Sequence, residues 1–235
     1  MIYIIKIIVG SSISILGTMI GAAIGVIKEN SKKSLVFLIS LAAGIMFSIV
    51  VFELIPEGIK KIGRYKFILL MIMSALVMCF IDNISFKKKN KQEKKAFITS
   101  IALMLHNFPE GIIMGASFIT GNSLGMKMCI TIAIHDIPEG IAVAAPLCSS
   151  NYGKIKSVFY TFITAVPTIF GALVGALIGS VSEIFLGISL ALASGIMLYV
   201  VLFEMLLEAY NNAKSFNFLF GNLIGILLGI VLSIY

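Results

Sequence analysis

Long apolar runs separated by short polar connections make up the whole chain. A helix needs about 20 apolar residues to cross a bilayer. Eight such segments can be drawn, at residues 2–27, 34–58, 65–82, 97–119, 124–147, 156–179, 184–208 and 216–235. The pattern predicts an all-α fold, a polytopic membrane bundle of eight transmembrane helices. The chain from 1 to 235 then forms one membrane domain, whose longest connection is a Lys-rich cytoplasmic loop at 83–95.

Composition agrees with a membrane protein. The chain is 59% hydrophobic and 12% charged, and the charged share of a soluble domain is about 25%. The net charge of +7 comes from lysines in short loops, which favours anionic lipid headgroups of the bilayer, and not nucleic acid, as the partner. The first span has no cleavage-like site, so we expect it to be retained. Cys79, Cys129 and Cys148 lack metal-ligand spacing and are predicted to be buried free thiols.

The lysine and arginine distribution predicts an orientation. Twelve basic residues fall in the 1–2, 3–4, 5–6 and 7–8 connections, and six fall at the N-terminus and in the other connections. Positive charge marks the cytoplasmic face. We therefore expect a protein of the cell membrane with both termini outside and the 3–4 loop inside.

The sequence repeats itself with inverted topology. Residues 41–58 align without gaps on 192–209, with nine of eighteen positions identical, including both glutamates. These segments lie in spans 2 and 7, which cross the membrane in opposite directions. Glycines at every fourth position also occur in both span 1 (from Gly17) and span 6 (from Gly171), where they favour close helix packing. Spans 1–3 are thus predicted to mirror spans 6–8, with spans 4 and 5 exchanging, an arrangement typical of secondary transporters.

Spans 4 and 5 carry the candidate chemistry. The sequence HNFPEG at 106–111 recurs as HDIPEG at 135–140, near the middle of each span. Ionisable groups inside a membrane cost several kcal/mol each and mark functional sites. Each copy contains three of these polar residues, which gives six candidate ligands: His106, Asn107, Glu110, His135, Asp136 and Glu139. Within each copy the histidine and the glutamate are four residues apart, on one helix face. Pro109 and Pro138 each leave a carbonyl without a backbone donor.

A divalent cation is the predicted ligand of this polar centre. Three carboxylates facing each other at the midplane need a counter-charge, and no lysine or arginine lies in a neighbouring span core. Imidazole with carboxylate suits Zn2+, Fe2+, Mn2+, Co2+ or Cd2+. The two histidines with the two glutamates could form one site, and Asn107 with Asp136 could form a second that shares both glutamates. Hydrogen bonding between helices alone is the structural alternative.

Four further glutamates lie toward the ends of spans 2 and 7: Glu53, Glu57, Glu204 and Glu208. The predicted topology places the first pair toward the outside and the second pair toward the cytoplasm. One interpretation makes them relays for the cation at the two mouths of a pathway. The other makes them interfacial glutamates that reach water.

Two function classes fit a metal site at the membrane midplane. The first is a transporter with alternating access, or a pore through the same ligands. The second is an intramembrane metal-dependent hydrolase. The His-Glu-x-x-His signature of zinc proteases is absent from the sequence, and the inverted repeat favours transport over catalysis.

These features resemble the ZIP family of zinc and iron transporters, especially its prokaryotic branch. The resemblance rests on eight spans, the 3–4 loop, and HNFPEG followed by HDIPEG. It implies uptake of metal into the cytoplasm, a binuclear site at the six motif positions, and a homodimer. The sequence departs from the family pattern at Thr168, where many relatives carry a glutamate that completes the second metal site. The 3–4 loop also lacks histidine.

Overall fold

The bundle consists of helices throughout the part of the chain that the structure describes. A computed structural model describes residues 2–27, 32–84, 91–178, 182–212 and 216–234, and no strand occurs among them. Eight of the helices in these ranges are long and apolar enough to cross a membrane, as the hydrophobic pattern predicts. Five spans are single helices: span 1 (Ile2–Ile27), span 3 (Arg64–Ile84), span 4 (Lys91–Thr120), span 6 (Lys154–Ile178) and span 8 (Phe216–Ile234).

The other three spans contain a π-helical segment. Span 2 consists of Lys32–Ile49, the π segment Val50–Leu54 and Ile55–Ile62. Span 5 is Asn122–Leu147 followed by the π segment Cys148–Tyr152. Span 7 consists of Glu183–Tyr199, the π segment Val200–Leu206 and Leu207–Asn212. A π segment adds a residue to a turn and redirects the side chains near it, and here two of the three segments contain a glutamate, Glu53 and Glu204.

Connections between the spans are short. Gly63 joins spans 2 and 3 with a φ of 80°, and Gly153 joins spans 5 and 6 with a φ of 75°. Both angles lie in the left-handed region that glycine adopts at little cost. Span 4 begins at Lys91 and span 3 extends to Ile84, so the 3–4 connection is shorter than the expected loop at 83–95. Residues 85–90 of that loop lie outside the described ranges.

Helix packing divides the spans into two groups. In the first group, span 4 packs along span 6 and span 1 packs along span 5, and spans 4 and 5 contact each other. In the second group, span 2 packs along span 8 and span 3 along span 7. Every described glycine that faces another span faces one in its own group. Contacts between the groups run mainly from span 2 to span 5 and from span 4 to span 7.

Glycine positions bring backbones into direct contact within the first group. A Cβ on Gly21 would meet the carbonyl oxygen of Ile137, and a Cβ on Gly171 would meet that of Phe108. Ile137 and Phe108 occupy equivalent positions in the two motif copies. In the packing, Gly21 of span 1 is therefore the equivalent of Gly171 of span 6. The glycine ladders alone suggest Gly17 as the equivalent of Gly171, which is one helical turn away. Glycine spacing repeats every turn, so the ladders leave that register undetermined.

The cysteines differ from the expectation at one position. Cys129 and Cys148 are buried, as predicted, but Cys79 is exposed on the surface of the bundle. Span 3 lies at the periphery and most of its apolar residues face outward, which explains why an apolar sequence context at Cys79 does not imply burial.

Candidate metal site

The core of the site is a buried cluster of one imidazole and two carboxylates. His106 Nε2 lies 3.0 Å from Glu110 Oε1 on the next turn of span 4 and 3.6 Å from Glu139 Oε1 of span 5. All three residues are buried. One ligand atom from each lies within 4.8 Å of the other two. A small adjustment of these rotamers would bring the three atoms to the distances of about 2.0–2.2 Å at which zinc binds nitrogen and oxygen.

Three of the four carboxylate oxygens in this cluster lack a hydrogen-bond donor among the described residues. Neither oxygen of Glu139 accepts a hydrogen bond from any residue that the structure describes, and the same holds for Glu110 Oε2. A buried polar atom without a partner costs about 1–3 kcal/mol, and more when it is charged. The ion pairs found for these two glutamates in the described ranges involve histidine alone. A cation bound between spans 4 and 5 would remove this penalty.

His135 contacts a different carboxylate from the one that sequence spacing suggests. Its Nε2 lies 3.3 Å from Glu53 Oε2 in the π segment of span 2, and the cluster above forms without it. The sequence places Glu53 toward the outer end of span 2, as a possible relay for the cation. Because the π segment redirects the side chain, Glu53 joins span 2 to span 5 beside the candidate metal site.

Asn107 and Asp136 are each held by a neighbouring helix of the same group. Asn107 Nδ2 donates to the backbone oxygen of Thr164 in span 6, at 2.9 Å. The hydroxyl of Ser14 in span 1 donates to Asp136 Oδ2. Both motif residues are buried, at 1% exposure. The sequence pattern does not predict either partner. A single serine in an apolar span has no characteristic spacing that would single out Ser14, and the backbone oxygen of Thr164 could belong to any residue type.

A cavity of about 690 Å³ leads from one face of the bundle to the site. His106, Glu110 and His135 line its inner part together with Glu53. Glu57 lies at the rim, where its side chain is 47% exposed. Four further charged residues are at the mouth: Lys60, Lys61, Lys127 and Glu183. Lys61 forms ion pairs with both Glu57 and Glu183, which links span 2 to span 7 at this face.

The half of the bundle opposite the cavity mouth contains the other glutamate that lies in a π segment. Glu204 is buried in the π segment of span 7, and the cavity lining formed by described residues does not include it. The Tyr199 hydroxyl donates to Asp82 Oδ2 at 3.0 Å, which ties span 7 to span 3 in this half. The side chain of Glu208, the fourth expected pathway glutamate, lies outside the described residues. The described cavity connects the site with the face of the bundle that carries Lys61 and Glu183.

Thr168 lies close to the motif of span 4. It is 1% exposed, and its backbone oxygen packs against Gly111. Span 6 contains no aspartate or glutamate between residues 154 and 178, so it supplies no carboxylate to a second metal beside Asn107 and Asp136.

Comparison with known proteins connects this geometry to a family. A sequence model described as "Zip: ZIP Zinc transporter" matches residues 85–234, more than half of the chain. The zinc transporter ZupT of Salmonella arizonae is 31% identical over 179 residues, which cover 67% of this chain and 67% of that protein. The ZupT of Salmonella heidelberg is 30% identical over the same lengths. The chain therefore belongs to the ZIP family of zinc transporters, and it is a multi-pass membrane transporter of divalent metal and not an enzyme.

Proposed function

We propose that the chain carries zinc across the cell membrane into the cytoplasm, with His106, Glu110 and Glu139 as the central ligands. The observation that carries this proposal is the buried cluster beside the cavity, in which three of the four carboxylate oxygens lack donors among the described residues. The relatives are zinc transporters by name. The same ligand types also suit Fe2+, Mn2+, Cd2+ and Co2+, so competition among these ions is part of the test.

His135, Asp136 and Asn107 complete the proposed ligand set. His135 lines the cavity, and its ring can bind metal once the metal displaces Glu53. Asp136 and Asn107 each keep one buried oxygen without a hydrogen-bond partner among the described residues. These oxygens support a second, weaker site beside the first.

Orientation follows from the cavity and the charges together. The cavity opens where residues near the 2–3, 4–5 and 6–7 connections meet, at Lys61, Lys127 and Glu183. The positive-inside rule assigns that face to the outside. The described conformation is then open outward, ready to receive a cation for uptake.

Alternating access supplies the transport step in this proposal. The ligands lie in spans 4 and 5, inside the group whose backbones contact each other through glycine. Side chains such as Glu53 and His135 make the contacts to the other group. Because side-chain contacts exchange more readily than glycine-mediated backbone contacts, we expect spans 1, 4, 5 and 6 to move as a unit against spans 2, 3, 7 and 8. Glu204 and Glu208 would receive the ion on the cytoplasmic side.

Equivalent contacts in the two halves support the inverted repeat. Gly140 packs on the carbonyl of Thr18, and Gly111 packs on the carbonyl of Thr168. The two threonines are 150 residues apart, and the two glycines are equivalent in the motif copies. The same relation would let the two halves exchange conformations, as inverted-repeat transporters do.

Uptake into liposomes tests the proposal directly. Purified protein is reconstituted with a trapped zinc indicator, and zinc uptake is measured with and without competing Fe2+, Mn2+, Cd2+ or Co2+. We expect saturable uptake that Glu139→Ala abolishes. Glu183→Ala is the matched control, since Glu183 is an exposed rim glutamate whose side chain is 72% exposed. Equal zinc uptake by the wild type and Glu139→Ala would disprove transport through this cluster.

A further inference from the structure

Ser14 is unusual among the hydroxyl residues of the spans. Many described serine and threonine hydroxyls donate to a backbone oxygen one turn back in their own helix, as Thr161 and Ser194 do. Ser14 donates instead to Asp136, 122 residues away on another helix. Ser14 is completely buried and Asp136 is 1% exposed, so water does not compete for this bond.

The bond divides the carboxylate of Asp136 into two different oxygens. Oδ2 accepts from the Ser14 hydroxyl, whereas Oδ1 is buried and has no hydrogen-bond partner in the described part of the chain. A carboxylate held at one oxygen loses rotational freedom about its terminal bond, and its other oxygen is fixed in direction. That free oxygen is the atom able to bind a cation.

Asn107 has the equivalent arrangement in the other half of the site. A backbone carbonyl only accepts, so the amide atom facing Thr164 is the donor Nδ2. Asn107 Oδ1 is therefore the free atom, and it too is buried without a partner among described residues. Ser14 and Thr164 are 150 residues apart, as Thr18 and Thr168 are. Two helices flanking the site thus each orient one polar side chain of the motif.

We propose that Ser14 is a positioning residue for the transported cation, acting through Asp136. Its hydroxyl holds Oδ2 of the carboxylate and leaves Oδ1 available to a cation at the second, weaker site between spans 4 and 5. This inference rests on the proposed function and adds a residue that does not itself touch the metal. Thr164 acts on Asn107 through its backbone, which a side-chain substitution leaves in place, so Ser14 is the position that mutagenesis can test.

The test measures zinc affinity of the purified protein by competition with a chromophoric chelator, alongside zinc uptake in liposomes. Four proteins besides the wild type are compared: Ser14→Ala, Asp136→Ala, the double variant and Ser11→Ala. Ser11 is the matched control, since it lies on the same helix at 2% exposure and its hydroxyl has no partner in the described ranges. Melting temperature verifies that each variant is folded.

We expect Ser14→Ala to raise the Kd of the second, weaker zinc site about 10- to 100-fold, the usual effect of removing a group that orients a metal ligand. Ser11→Ala should bind zinc as the wild type does. In the Asp136→Ala background, Ser14→Ala should change the Kd by less than about twofold, because its partner is already absent. An unchanged Kd in Ser14→Ala, or the same loss with and without Asp136, would overturn the inference. Failure of the wild type to take up zinc would instead refute the proposed function.

Discussion

His135 Nε2 lies 3.3 Å from Glu53 Oε2, and this contact joins the group of spans that carries the ligands to the group that does not. The contact exists because the π segment Val50–Leu54 directs Glu53 toward span 5. A cation that binds His135 must take the place of this carboxylate or share it. In the proposed pathway Glu53 would then meet the cation at the inner part of the cavity.

Neutralising Glu53 should weaken transport at low zinc concentration. We expect Glu53→Gln to raise the KM for zinc uptake about tenfold, corresponding to about 1.4 kcal/mol, since a carboxylate beside His135 attracts the incoming cation. Uptake in liposomes across a range of zinc concentrations measures this. Glu57→Gln at the exposed rim is the comparison and should have a smaller effect. Identical KM values for Glu53→Gln and the wild type would show that Glu53 is not on the pathway.

Acid outside should inhibit uptake. Imidazole and carboxylate bind metal in their deprotonated forms, so protons compete with zinc for His106, Glu110 and Glu139. Lowering the external pH from neutral to mildly acidic should reduce uptake at subsaturating zinc more than at saturating zinc. The measurement is initial uptake in liposomes with a fixed internal pH. A rate that rises with acidification would indicate proton-driven transport in place of simple competition.

A methyl group at Gly21 should destabilise the bundle. Its Cβ would meet the backbone oxygen of Ile137, and overpacking of this kind costs about 1–3 kcal/mol. Gly21→Ala should therefore lower the melting temperature of the purified protein in detergent.

Gly121→Ala is the control for that experiment. A Cβ on Gly121 would meet no atom within 4 Å, and the backbone there is extended, with a φ of 175°. Its substitution should leave the melting temperature near that of the wild type. Equal melting temperatures for all three proteins would mean that spans 1 and 5 do not pack through Gly21.

Removing the Tyr199 hydroxyl should lower the stability of the packing between spans 3 and 7. Tyr199→Phe deletes the hydrogen bond to Asp82, and a bond to a charged group contributes about 1.5–3 kcal/mol. The melting temperature should fall. Tyr65→Phe serves as the control because Tyr65 is 90% exposed. If both variants melt alike, the bond between spans 3 and 7 adds no stability.

Sequence reasoning works best where contacts are local. His106 and Glu110 meet because they are four residues apart on one helix, and Glu139 joins them because spans 4 and 5 are adjacent and antiparallel. These relations follow from helix geometry and a short connection. Hydrophobic run length likewise predicts the eight spans.

Contacts between distant helices depend on rotation and register, which the sequence pattern leaves open. The partner of His135 depends on a π segment, and helical periodicity does not predict where the extra residue falls. The bond from Ser14 to Asp136 depends on how span 1 is rotated against span 5. The equivalence between the glycines of spans 1 and 6 is likewise ambiguous by one turn. Glycines that recur every four residues can be aligned at several successive positions.

The connection between the two ligand helices has a further consequence. Span 4 ends at Thr120 and span 5 begins at Asn122, so Gly121 alone separates them. A tether this short keeps the carboxylate of Glu139 at high effective concentration near His106 and Glu110. The donors then act as one chelating unit, and a proton or a thermal fluctuation that detaches one donor leaves the others in position to recapture the ion. We therefore expect the lifetime of an ion bound there to depend on how long water is kept from the whole unit, and less on the strength of any single bond.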